Sequence, residues 1–314
     1  MLTVFSKVIV VFGIVAVGFF CSKKRILPDE VEGPLVDLLL LVTCPLMIFT
    51  SLATRELDPG TLPKTIIVIL MSMGYFILAP LVSMIFKKFL RNTPKEDIGV
   101  MMAIMSSLNT GFMGFPVTKA IFGDDLFFLI VLQNIALNIY FYSIAIIQIN
   151  YGHSESGNIA QAMKSVINPN IIAAFIGLII LFTQIKLPGP LLDFTSMLGD
   201  VTTPLSMLIV GMRLARSNVS SVIKNRDLMF AGLVNMIFMP IIVFLIVNWL
   251  PIPQDVKMLL VWSACFPCAV VVVTLSVKYH RNATLAAEGL ALTTLMSLII
   301  LPVAATILSS YYGL

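Results

Sequence analysis

Long, unbroken apolar runs constrain this chain more than any other feature. A helix needs about 20 apolar residues to cross the hydrocarbon core of a bilayer. Reading for runs near that length gives ten: Leu2 to Phe20, Leu35 to Ala53, Thr65 to Phe86, Ile98 to Thr118, Leu126 to Ile149, Asn170 to Thr183, Leu191 to Leu214, Leu228 to Leu250, Val256 to Val277 and Ala283 to Ser309. Of the 314 residues 59% are hydrophobic and 11% charged, so there is too little polar surface to cover a water-facing globule. In lipid, backbone groups must be satisfied internally, by helices or by a closed barrel. The runs are continuous rather than alternating over ten-residue segments, which selects helices. The expectation is an all-α polytopic membrane protein with ten transmembrane helices.

The charges orient it. A cleaved signal carries its positive charge before the apolar segment, whereas Lys23, Lys24 and Arg25 follow the first run, which is therefore expected to stay as span 1. With the amino terminus outside, fourteen of the 20 basic residues fall inside: Lys23, Lys24, Arg25, Lys87, Lys88, Arg91, Lys95, Lys164, Arg213, Arg216, Lys224, Arg226, Lys278 and Arg281. Lys7, Arg55, Lys64, Lys119, Lys186 and Lys257 fall outside. The positive-inside rule then favours both termini outside, and the expected location is the plasma membrane. The net charge of +4 reads as orientation and not as nucleic-acid binding.

The two halves of the chain match at a nearly constant offset. Leu27-Pro28 pairs with Leu187-Pro188, "TCPL" at 43 to 46 with "TTPL" at 202 to 205, Pro80 with Pro240, and Asp97 with Asp255, a shift of 158 to 160. This divides the chain into a first five-span repeat over 1–150, a short connector over 151–167, and a second five-span repeat over 168–314. An odd number of spans per repeat makes the second copy enter from the opposite face, so the repeat is inverted. The same shift carries Asn109 onto Pro267, so that "NTG" in span 4 faces "PCA" in span 9. Breaks at matched positions are the best sequence pointer to a transporter's site, because broken helices turn half-helix ends toward a cavity near the midplane.

At these residues the chain resembles the auxin efflux carrier family, which includes the plant PIN carriers and bacterial carboxylate carriers. The likeness lies in "NTGFMGFP" at 109 to 116, "NPNIIAAFIGL" at 168 to 178, "TTPLSMLIVGMRLA" at 202 to 215 and "PCAVVVVTLSVKY" at 267 to 279. The resemblance implies the ten-span inverted-repeat fold shared with sodium/proton antiporters and bile acid symporters, with spans 4 and 9 crossing as broken helices. It also implies a scaffold of spans 1, 2, 6 and 7 and a moving transport domain of spans 3–5 and 8–10. Leu108 stands where the plant carriers usually have Pro, and the long central loop of many of them is here only about Asn150 to Ile167. A bacterial, short-loop carrier of small carboxylates fits better than an auxin carrier.

Asn109 and Thr110 are the leading substrate-binding candidates, since an Asn amide at a break can cap the half-helix or donate to a carboxylate. Gly111 and Gly114 would permit close approach. Pro267, Cys268 and Ala269 form the matching face and contribute shape and backbone. The Cys265–Cys268 pair lacks a second ligand pair and reads as apolar filler rather than a metal site. In span 5, Asn134 and Asn138 lie one turn apart and share a face, with Gln133 beside them. By resemblance a polar residue near Asn138 lines the cavity, and interhelical hydrogen bonding accounts for these amides equally well. Ser106, Ser107 and Asn235 read as packing or helix bonding. Asp200 in span 7 and Glu288 in span 10 are candidates for proton or cation coupling, because ionisable groups are costly in lipid. Each could instead reach a water-filled vestibule.

His153 and His280 fall in expected cytosolic loops, and no catalytic, cofactor or nucleotide-binding motif is present in the sequence. The expected function is therefore a secondary transporter of a small organic anion such as malate, malonate or an auxin-like acid, working by alternating access, with a proton or sodium ion as candidate partner. A homodimer through the scaffold spans is the candidate assembly. The competing readings are a channel or uniporter pore, and a sodium-coupled bile-acid-like symporter, which would want more oxygen ligands than "PCA" supplies.

Overall fold

A computed structural model describes residues 2–153, 167–216, 222 and 224–313, with side chains from residue 6 onward. Lys164 and residues 154–166 of the expected connector lie outside the described residues. Among the described residues every element is helical. Seven helices among these residues are long and apolar enough to cross a membrane: Ser6–Lys23, Asp29–Ala53, Thr61–Phe89, Lys95–Phe122, Asp124–Phe141, Arg226–Trp249 and Ala283–Tyr312. The other expected spans form shorter or interrupted helices. Pro169–Thr183 is apolar but has only 15 residues. Gly189–Asp200 and Thr202–Arg216 are separated at Val201, and Gln254–Ala264 and Val270–Lys278 by Cys265 to Ala269. The expected fifth run also divides, into Asp124–Phe141 and Ile144–Ile149.

Proline explains several irregularities. Widened, π-helical turns at Leu39–Thr43, Thr110–Gly114 and Val234–Phe238 each end just before a proline, at Pro45, Pro116 and Pro240. Proline offers no N–H and its ring pushes away the carbonyl four residues back, and one extra residue in the turn relieves both problems.

The first helix packs along Thr202–Arg216, and Pro169–Thr183 packs on Cys44–Ala53. Small residues make the first contact possible: a Cβ on Gly18 would sit 2.3 Å from the Leu208 carbonyl oxygen, and one on Gly211 2.1 Å from that of Val15. Membrane helices associate by such close backbone approach, since lipid removes the hydrophobic drive. Ile98–Ser106 lies at the centre of the molecule, with every residue from Gly99 to Ser106 buried. It is wrapped by Thr61–Phe86, the Ile144–Ile149 turn, Arg226–Leu233 and Ala283–Tyr312.

Candidate functional site

The two interruptions meet. After Ser106 the chain turns extended at Ser107, and before Val270 it is extended at Ala269. Each break frees backbone groups that would be costly to leave unpaired in a membrane interior, and the facing segment takes them up. Asn109 N–H donates to the Pro267 carbonyl at 2.8 Å. Ala269 N–H donates to Ser107 Oγ at 3.2 Å, and the Ser107 hydroxyl donates to Cys268 Sγ at 3.4 Å. Thr293 Oγ1 accepts from Cys268 N–H at 3.1 Å, while Asn235 Nδ2 donates to the Ser107 carbonyl at 3.1 Å.

Asn109 serves two roles at once. Its Oδ1 accepts from Phe112 N–H at 3.3 Å, capping the turn that leads into Phe115–Phe122. The oxygen must face that N–H, so the amide nitrogen and its two donors point away from the cap. Asn109 borders two cavities. The first, of about 360 Å³, is also lined by Thr110, Gly111, Asn134, Asn138 and Ala269. The second, of about 340 Å³, is bordered by Glu32, Phe112, Arg213, Arg216 and Thr294.

The Val270–Lys278 helix begins without a side-chain cap, and Val270 and Val271 line the first cavity. A helix start presents unpaired N–H groups and a partial positive charge, which favour an anion. Thr110 adds a buried hydroxyl that lacks a hydrogen-bond partner among the described residues. A cavity wall of amide donors, a hydroxyl and a helix start can hold a carboxylate.

The expected residues divide. Asn109, Thr110, Gly111, Asn138 and Ala269 come together around the first cavity. Pro267 and Cys268 lie behind its wall and hold the crossing, Pro267 through its carbonyl. Gly114 lies where the two segments touch, since a Cβ there would meet Phe266 Cε2 at 2.8 Å. Gln133 is displaced from the expected site. It is fully buried, donates from Nε2 to Ser263 Oγ at 2.8 Å, and lines neither cavity; Asn134, one residue on, takes the cavity face. Asn138 donates to the Asn134 carbonyl at 2.8 Å and accepts from Asn168 Nδ2 at 2.8 Å.

The ionisable candidates are less enclosed than their positions in apolar runs imply. The Asp200 side chain is 64% exposed and pairs with Lys119 Nζ at 3.4 Å, at the end of Gly189–Asp200. Glu288 is half-buried; its neighbours Ala287, Leu290 and Ala291 line the second cavity, and it does not.

Ser107 and Asn235, read from the sequence as packing or helix bonding, both bond across the crossing. Arg213, read as an orientation charge, borders the second cavity together with Asn109, with its guanidinium carbon 4.9 Å from the centre of the Phe112 ring. The one available signal for Arg213 was its place within "TTPLSMLIVGMRLA".

A helical membrane protein whose buried helices stop short around cavities with a few polar groups in their walls is built to pass solutes, and the comparisons with known proteins bear this out: it is a membrane transporter. The chain belongs to the membrane transport protein family, whose family model matches residues 3–305; this is the family of the auxin efflux carriers that its motifs resemble. It is 24% identical over 313 residues to an uncharacterized transporter of Methanocaldococcus jannaschii, covering 94% of this chain and 95% of that protein.

Proposed function

We propose that the protein carries a small organic anion, with a carboxylate as its charged group, across the plasma membrane by alternating access. The observation that carries this reading is the Asn109 amide, whose two donors are turned away from its cap in a residue that borders both cavities together with Val270. The carboxylate docks on Asn109 Nδ2, Thr110 Oγ1 and the first N–H groups of Val270–Lys278.

The architecture that goes with this reading is ten spans in two inverted five-span repeats. The three spans beyond the seven long ones are Pro169–Thr183, Gly189–Arg216 and the interrupted Gln254–Lys278. Spans 1, 2, 6 and 7 act as scaffold and the rest as the moving unit. With both termini outside, the cavities open toward the cytosol. The outer side is bridged by Arg55 to Asp125 at 3.1 Å and Lys119 to Asp200 at 3.4 Å, pairs that must part when the site turns outward. The membrane potential alone can drive anion export at about 2.3 kcal/mol per charge per 100 mV. For a proton-coupled cycle Glu288 is the candidate carrier, tested by the pH profile of Glu288→Gln.

The test is counterflow in proteoliposomes over labelled malate, malonate, pyruvate and indole-3-acetate, with Asn109→Asp and Asn109→Ala beside wild type. Asp caps a helix as well as Asn does, so Asn109→Asp keeps the turn while replacing two donors by a negative charge. Loss of exchange in a well-folded Asn109→Asp is the expected result. Normal exchange in both variants, for an acid that wild type takes saturably, would refute the site. Conductance without saturation or counterflow would favour a channel.

A further inference from the structure

We propose that Arg213 meets the negative charge of the transported anion, and that Glu32 competes with that anion for it; the proposal rests on the carboxylate reading above. The first cavity has no cationic side chain among its lining residues, only neutral donors around Asn109 and the Val270 helix start. Neutral donors alone leave a carboxylate's charge poorly compensated in a medium of low dielectric. The second cavity shares Asn109 and Phe112 with the first and supplies two cations, Arg213 and Arg216.

The two arginines are not equivalent. Arg216 has two carboxylates, with Nη1 on Glu32 Oε2 at 2.5 Å and Nε beside Asp29 Oδ1 at 2.7 Å. Arg213 has only a share of Glu32, donating from Nε to Oε1 at 2.7 Å. Among the described residues its Nη groups have no hydrogen-bond partner. A guanidinium edge is shaped to hold a carboxylate by two parallel hydrogen bonds. Phe112 stacks beneath it at 4.9 Å, so this edge lies next to the residue whose N–H fixes Asn109. The four side chains together are neutral, so Glu32 already offsets the Arg213 charge that an arriving carboxylate meets, and the two carboxylates compete for it. Because Glu32 and Arg213 stand on helices separate from the crossing, an anion held by Asn109 and Arg213 ties the crossing to them.

The test uses the full chain in proteoliposomes with labelled malate, comparing wild type, Arg213→Gln, Arg213→Lys and Glu32→Gln. A charge-assisted hydrogen bond lost from the bound anion corresponds to a rise in KM of about ten- to hundredfold in Arg213→Gln, with Arg213→Lys between. Glu32→Gln keeps the acceptor oxygen and removes the competing charge. Its KM falls, by about fivefold for a pair as accessible as this one. A merely structural ion pair predicts the same direction for both substitutions, so opposite directions support the proposal. An unchanged KM in folded Arg213→Gln, or a raised KM in Glu32→Gln, overturns it. Should Arg213→Gln not fold, the direction of Glu32→Gln decides. An effect of Arg213→Gln seen in vesicles containing anionic phospholipid but absent in pure phosphatidylcholine marks a headgroup site and also overturns it. Absence of saturable malate exchange in wild type, with none for the other acids, removes the carboxylate reading and this proposal with it. Normal wild-type exchange with unmoved KM values removes this proposal alone.

Discussion

Two glycines a few residues apart are expected to respond oppositely to the same substitution. A Cβ at Gly114 would lie 2.8 Å from Phe266 Cε2 and 3.2 Å from Thr110 Cγ2. Carbon atoms in contact prefer about 3.5–4.0 Å, so the first contact overlaps by about 0.7 Å. Phe266 has little freedom to yield. It is fully buried and packs edge-on against Trp262, with ring centroids 5.4 Å apart, while Trp262 is itself tied to Thr118 Oγ1 at 2.8 Å. Overpacking of this kind costs about 1–3 kcal/mol, and Gly→Ala in a helix otherwise contributes about 0.5–1 kcal/mol in the favourable direction. At Gly111, apart from its own turn of helix and chain neighbours, nothing among the described residues lies within 4 Å of the added carbon, so only the favourable part remains. Gly114→Ala should therefore be less stable than Gly111→Ala by about 1–3 kcal/mol. The strain also pushes Phe266 away from Gly114, and with it the Pro267 carbonyl that receives Asn109 N–H, so transport should fall with stability. Unfolding in detergent by heat or denaturant measures the first effect, and proteoliposome counterflow the second. Equal stability of the two variants, or a larger loss at Gly111, would show that the segments do not touch as described.

Ser107→Ala removes the acceptor for Ala269 N–H and leaves a buried donor unpaired, so a loss of about 1–3 kcal/mol is expected in the same unfolding assay. Gln133→Met removes a bond to Ser263, whose hydroxyl still donates to the Leu260 carbonyl at 3.1 Å; stability should change by less than about 1.5 kcal/mol, with an unaltered KM. Asp200→Asn should leave the pH profile of counterflow as in wild type, because the carboxylate is 64% exposed and paired with Lys119. A flattened profile would restore Asp200 as a proton carrier.

The all-helical membrane architecture was legible in the sequence because it follows from chain-wide quantities: apolar runs of membrane length, and too few charges to cover a soluble surface. The breaks at 107 to 109 and 265 to 269 were legible too, since Pro267 and the "NTG" stretch cannot continue an ordinary helix, and an offset of about 158 made them a pair. Asn109 followed from that pairing. Helix periodicity placed Asn134 and Asn138 on one face but could not say which face met the cavity, and Gln133 proved to point the other way.

What only the tertiary structure decided are relations between residues far apart in the chain. Ser107 and Asn235 are ordinary polar residues in apolar runs, and their role appears once the chain brings Ala269 and the Ser107 carbonyl to them. Arg213 counts in the sequence as one more inside charge; the packing of Thr202–Arg216 brings it over Phe112 and against Glu32, 181 residues away. Asp200 lies in an apolar run yet its side chain is 64% exposed and paired, because the fold brings Lys119, 81 residues away, to it. Hydrophobicity and proline act locally and can be read along the chain. The compensation of charges and of freed backbone groups depends on which partner arrives, and only the folded arrangement of the helices supplies that partner.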